Sequence, residues 1–293
     1  MAIQYSGSVR TSTFSPSTKQ NIIDNVETAL LAAGWTTISG HATTNLLMQS
    51  GTTPQGFAAR IRLKDNGGNC VTFSLESTDG SLVGGNSTTV GGAFVQPGTS
   101  QTFRIVCSAY QAFLFVTPYS GVNRSFAGFG VPYVPSWVAA TTTQLAWMMG
   151  DGQNDTDANN RGSFRTFLLF SGGAGAGAPS QQAMYDSVLW GTNFNGLLGL
   201  IGLASYVCPT MASGGTGYRW QNNAALIIDP LIAWGDTASN VEAKFKGQLW
   251  DAVVSTDAYS PDTAATFDSH NWIVLTNNNT AATLRGSLLL ATS

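Results

Sequence analysis

Charge is scarce in this sequence. Lysine, arginine, aspartate and glutamate make up 10% of its 293 residues, against about 25% in ordinary soluble domains, and the formal net charge is −3. No basic stripe exists to follow a phosphate backbone or an anionic membrane, so neither nucleic acid nor a lipid surface is an expected partner. The exposed area must instead be covered by Ser, Thr, Asn, Gln and the 33 glycines. That composition suits turn-rich β structure, and a neutral polar surface suits a subunit that hides much of itself against neighbours.

Cysteine and histidine are scarce too. Cys70, Cys107 and Cys208 are odd in number and widely spaced, fitting neither a disulfide framework nor a zinc site; we expect buried free thiols. The opening MAIQYSGSVR lacks the apolar centre of a secretory signal, which points to synthesis and folding in a reducing cytoplasm. The longest apolar run, 196–208, is too short for a membrane span and is broken by Gly199 and Gly202. Sustained heptads and a Gly-X-Y period are absent, which argues against a fibrous body.

The same scarcity removes most catalytic readings. His41 and His270 are the two histidines, and neither lies in an H-E-x-x-H pattern. Ser269 adjoins His270, but no G-x-S-x-G elbow occurs, so hydrolysis is not expected. Gly173-x-Gly175-x-x-Ala178 formally matches a dinucleotide fingerprint. No acidic residue between 187 and 228 could hold a ribose hydroxyl, so no cofactor is expected. An EF-hand loop starting at Asp155 would put Asn160 where glycine is needed and Thr166 where glutamate is needed, so the stretch 151–159 reads as a surface turn and no metal is expected.

What is present is one clear helix and many strands. Over 15–34, apolar residues at Ile22, Val26, Ala29, Leu30 and Ala33 mark one buried helical face. Ser15, or Ser17 with Gln20, offers an N-cap, and Gly34 suits the left-handed residue past the C-terminus. Trp35 should lead into the first core strand. A strand at 45–49 and a turn at 51–54 follow. Phe57, Ala59, Ile61 and Leu63 then alternate with Ala58, Arg60, Arg62 and Lys64, and Val71, Phe73 and Leu75 with Thr72, Ser74 and Glu76. This predicts a hairpin with one dry and one wet face, turning at 65–68.

Residues 77–92 read as a long exposed loop. Strands are expected at 102–107 and 110–117, the second apolar on both faces and placed under the helix. The Gly- and Pro-rich crossing 121–137 is taken as a domain junction. Beyond it, strands at 163–170, 197–207, 224–228, 245–254, 271–276 and 286–291 suggest a β-sandwich. The Gly/Ala-rich stretch 171–180 would be flexible if exposed.

Two surface features are binding candidates. Arg60, Arg62 and Lys64 either form a solvated strand face or reach acidic groups on a neighbouring subunit. Tyr218 and Trp220 are the best candidates for stacking on a glycan, against the alternative of core or interface packing.

Several phrases carry a resemblance. The capped helix ending in Gly34-Trp35, LMQSGTTP at 47–54, the arginine-bearing hairpin, GVPYVPSW at 130–137, WMMGDGQNDTDANNRGSFRT at 147–166, GQLWDAVVSTDAY at 247–259 and TFDSHNWIVLTNNN at 266–279 resemble tailed-bacteriophage virion structural proteins. The resemblance implies a non-enzymatic subunit of the tail, baseplate or collar. Its expected partners are copies of itself and other virion proteins. A receptor-binding module that recognises host-surface glycan and a head decoration protein are the alternatives. It transfers no catalytic or binding residue. The expected architecture is mainly β: a helix-on-sheet α+β domain at 1–137 and a β-sandwich domain at 138–293.

Overall fold

The computed structural model describes residues 3–65, 67, 71–76, 92–95, 101–117, 126–136, 145–151, 164–170, 181–184, 198–201, 227–228, 231–236, 241–255, 264–276 and 287–292. In chain order the elements are β1 (Arg10–Phe14), α1 (Lys19–Ala32), β2 (Thr36–Ser39), β3 (Asn45–Gln49), β4 (Arg60–Asp65), β5 (Val71–Glu76), β6 (Gly92–Val95), β7 (Thr102–Cys107), β8 (Gln111–Thr117), β9 (Phe126–Gly130) and β10 (Leu145–Asp151). There follow β11 (Phe164–Phe170), β12 (Gln181–Met184), β13 (Leu198–Ile201), β14 (Ile227–Ile228), β15 (Leu231–Asp236), β16 (Val241–Gln248), β17 (Ala252–Ser255), β18 (Ala264–Phe267), β19 (His270–Thr276) and β20 (Ser287–Ala291).

The fold is mainly β, with one helix among the described residues. Four sheets form, in the orders β1-β7-β8-β9-β10-β11-β12, β2-β3-β4-β5-β6, β13-β15-β16 and β14-β17-β20-β19-β18. Every pairing in them is antiparallel. The seven-stranded sheet runs across residue 137, because Gly130 of β9 lies opposite Trp147 of β10.

Helix α1 forms where the 3.6-residue apolar period predicts. Ile22, Ile23, Val26 and Leu30 are wholly buried, each contributing roughly 1.5–3 kcal/mol by leaving water. Its N-cap is Thr18, not Ser15 or Ser17: the Thr18 hydroxyl accepts from Asn21 N–H at 3.1 Å. Ser17 instead donates to Asn21 Oδ1. At the other end Gly34 has φ +96, Gly34 N–H bonds Leu31 O and Trp35 N–H bonds Leu30 O, which is a Schellman closure. Gly34 therefore stands where the sequence placed it.

The helix lies against β1 and β7 of the seven-stranded sheet and against β2, β4 and β5 of the first five-stranded sheet. It does not sit directly over β8. The apolar run of β8 is central all the same, Ala112 to Val116 being 0–1% exposed. The two sheets meet through rings: Phe129 stacks on Phe73 at 5.7 Å and takes Trp35 edge-on at 5.7 Å. One core holds these residues together with Trp147, Leu249, Ala252, Ile273 and Leu290 from later in the chain.

Three other expectations are corrected. Trp35 is buried, but β2 after it is an exposed edge strand, because TTIS offers the core too little apolar surface. Glu76, assigned to the wet face of the hairpin, is 1% exposed because Arg62 reaches across to pair with it. The strand expected at 245–254 is two strands, β16 and β17, broken where Asp251 takes φ +46.

The turn Ser108-Ala109-Tyr110 between β7 and β8 joins the layers. Trp35 Nε1 donates to Ser108 O, Gly51 N–H to Ala109 O and Val131 N–H to Tyr110 O, all at 2.8 Å. Gly130 must be small here, since a Cβ would stand 2.4 Å from Tyr110 O and 2.6 Å from Gln111 Cα.

Candidate interaction surfaces

Alternation along β3, β4 and β5 turns Phe57, Ala59, Ile61, Leu63 and Phe73 into the core and sets Arg60, Arg62 and Lys64 on the opposite face. The structure brings these three cations together as the sequence predicts, and adds their partners. Arg60 Nε donates to Gln49 Oε1 at 2.8 Å. Arg62 Nε donates to Glu76 Oε1 at 2.5 Å and its Nη1 to Asn45 Oδ1 at 2.7 Å. Arg60 and Arg62 are half-buried and Lys64 is exposed. A carboxylate as buried as Glu76 needs its cation: removing Arg62 would leave that charge uncompensated, at a cost of about 3–5 kcal/mol. Of the three, Lys64 is the exposed one.

A second cluster escaped the sequence reading. Phe267 ends β18 and His270 starts β19, so Asp268 and Ser269, at φ +51 and +59, form a two-residue type I′ hairpin turn. Tyr5 packs over it: its ring stacks on His270 at 4.0 Å, nearly parallel, and its hydroxyl donates to Asp268 Oδ2 at 2.6 Å. Burial and that carboxylate push the Tyr5 phenol well above its usual range. Phe267 stacks on Trp272 at 4.5 Å, and Trp272 Nε1 donates to Phe267 O. His270 Nδ1 donates to the Asp268 carbonyl at 2.6 Å, so the ring is held by backbone and tyrosine. The Ser269–His270 adjacency thus belongs to a hairpin turn. The available signal was two turn-forming residues between Phe267 and His270 in an aromatic run.

Asp251 anchors the same N-terminal segment. Its N–H donates to Gln4 O at 2.7 Å and its Oδ1 accepts from Ser6 N–H at 2.8 Å. Burial pushes the Asp251 carboxyl up against the opposing pull of Ser6, Ser108 and His270. Its Oδ2 has no hydrogen-bond partner. Beside it a cavity lined by Cys107, Ser108, Gln111 and Asp251 among others has room for about one water.

Two further ionisable groups have clear roles. Glu27 is buried on α1 yet accepts from Thr37 Oγ1 at 2.7 Å and from His41 Nδ1 at 3.0 Å. Burial works to raise its carboxyl, and these bonds outweigh it and hold it low; the same contact holds the exposed His41 above its ordinary value. Cys107 is a buried free thiol, as expected, and burial pushes it up to about 12, which makes it a poor nucleophile.

Cys70, Cys208, Tyr218, Trp220 and the stretches 77–91, 152–163 and 171–180 lie outside the described residues. Among the described residues, no group of three or more His, Cys, Asp or Glu could hold a metal ion, and no helix is long and apolar enough to cross a membrane. No protein-family model, curated protein or solved structure matches this chain.

Proposed function

We propose that the chain is a non-enzymatic structural subunit of a tailed-bacteriophage particle, in the tail, baseplate or collar, made in the host cytoplasm and working through contacts with copies of itself and with other virion proteins. The phrases quoted above suggest the class. The observation that carries the assembly reading is how the few charges are used: Lys19 pairs with Asp65, Arg62 with Glu76 and His41 with Glu27. These pairs satisfy several of the few charges within the molecule, and the exposed edge strand β2 carries only Thr, Ile and Ser outside, the kind of neutral surface that protein partners cover at low desolvation cost.

Immunogold labelling of intact particles with an antibody to peptide 77–92, paired with mass spectrometry of the purified particles, tests the proposal. Gold clustered on the tail is the expected result. Gold over the head would make this a decoration protein, and particles lacking the protein's peptides would overturn the reading. The proposed division into a helix-on-sheet domain and a β-sandwich domain at 137–138, a boundary that the seven-stranded sheet crosses, is tested by limited proteolysis. Cleavage there into two separately folded pieces supports it, and fragments that unfold once parted refute it.

A further inference from the structure

Strand β1 is an exposed edge element. Arg10, Thr11, Ser12 and Thr13 are all exposed, and Phe14 is half-buried. Among the described residues the strand has one strand neighbour, β7, with which it keeps an unbroken five-residue register. Its other edge carries alternate N–H and C=O groups that no described strand pairs. Folded proteins often blunt such an edge with a bulge, a proline or a charged side chain, and β1 carries a single charge, Arg10, at its first residue. No bulge, proline or lysine interrupts the strand: the register with β7 is unbroken and the first proline, Pro16, lies beyond the strand's end. The exposed edge β2 differs, because its register with β3 shifts between Thr37 and Ser39.

The strand is also its own complement. Two antiparallel copies centred on Ser12 set Arg10 across from Phe14, Thr11 across from Thr13 and Ser12 across from Ser12. No like charges face each other, the Thr pairs are favourable cross-strand neighbours, and each guanidinium meets a part-exposed aromatic ring. The centring works whichever residues turn their backbone groups outward, because the two members of each pair, 10 with 14 and 11 with 13, have the same parity.

We propose that β1 is a self-association edge: two copies of this chain pair antiparallel through Arg10–Phe14, joining their seven-stranded sheets into one continuous sheet about a two-fold axis. The contact is isologous, so it closes at two copies and leaves the remaining surface for other partners. The inference deepens the assembly reading and rests on it for its biological use. The experiment needs only the purified chain, so its failure would not be confused with absence from particles.

Sedimentation equilibrium across a wide concentration range should show a reversible dimer. Thr11→Lys/Thr13→Lys puts lysine opposite lysine at both flanking pairs and should weaken the dimer by about tenfold or more, with far-UV circular dichroism and melting unchanged because both positions are exposed. Mixing that variant with Thr11→Glu/Thr13→Glu should restore dimers as a heterodimer, because lysine then faces glutamate across the β1 edge. A wild-type chain that stays monomeric throughout, or a dimer indifferent to the lysine pair, overturns the proposal.

Discussion

Gln111 and Trp250, 139 residues apart, meet as two strand residues would. The Gln111 side-chain amide donates to the Trp250 carbonyl, and Trp250 N–H donates back to Gln111 Oε1 at 3.1 Å. Gln111 is 3% exposed and Trp250 5%, so water cannot substitute for either bond. A side chain here completes the backbone hydrogen bonding of the break between β16 and β17.

Replacing Gln111 should therefore be costly. Gln111→Leu keeps much of the volume but leaves a buried N–H and a buried C=O unpaired, for an expected loss of roughly 2–5 kcal/mol. Gln111→Glu keeps the acceptor and should lose less near the acid end of the pH range, where the carboxyl can also donate. Urea denaturation of the two variants over pH checks both statements.

The Glu27–His41 pair should stabilise within a defined pH window. The Glu27 carboxyl is held below its ordinary 4.5, so its contribution is present above that value and fades as pH falls through the lower folded-state value. The His41 imidazole is held above its ordinary 6.5, so its contribution is full below 6.5 and fades as pH rises through the higher folded-state value. The two overlap between those limits. The melting-temperature difference between wild type and His41→Ala should be largest at about pH 5–6 and shrink in alkali. A difference that grows above pH 8 would show the pairing to be misassigned.

Asp251 carries the opposite sign. Burial raises its carboxyl in the folded state, so the fold favours the protonated form: stability is greatest in acid and falls as pH rises through the folded-state value. Asp251→Asn retains an oxygen to accept from Ser6 N–H, removes the buried charge, and tolerates φ +46. It should melt higher than wild type at neutral pH, with the gain vanishing in acid. Melting curves at two pH values decide this.

The helix cap gives a simpler comparison. Thr18→Ala should cost about 1 kcal/mol of unfolding free energy, whereas Ser15→Ala should cost little, since Ser15 lies outside the cap and its hydroxyl makes an exposed bond to the Thr102 hydroxyl. Equal losses at the two sites would mean that the helix starts elsewhere.

How much of this was legible in the sequence depended on distance along the chain. The helix, β3, β4, β5 and β7 announce themselves because their apolar period is set by near neighbours: Ile61 and Leu63 face the core in the register that alternation requires. Strand β1 was missed because four of its five residues are exposed and leave no apolar alternation to read. The burial of Glu76, Gln111 and Asp251 could not be read locally, since it depends on Arg62, Trp250 and Ser6, which lie 14, 139 and 245 positions away. The three cations on β4 were found by alternation. The Tyr5 cluster was not, because it joins residues 263 positions apart.

The tether of Tyr5 to Asp268 and of Ser6 to Asp251 also has a consequence in time. During synthesis the segment 3–9 emerges from the ribosome early, but the hairpin and the β17 turn that receive it emerge some 250 residues later. Ile3 and Tyr5, which pack beside Val253 and Trp272, lack those partners on the nascent chain until then. Long-range closure of this kind slows folding and lengthens the interval in which chaperones and sister chains can engage the growing polypeptide.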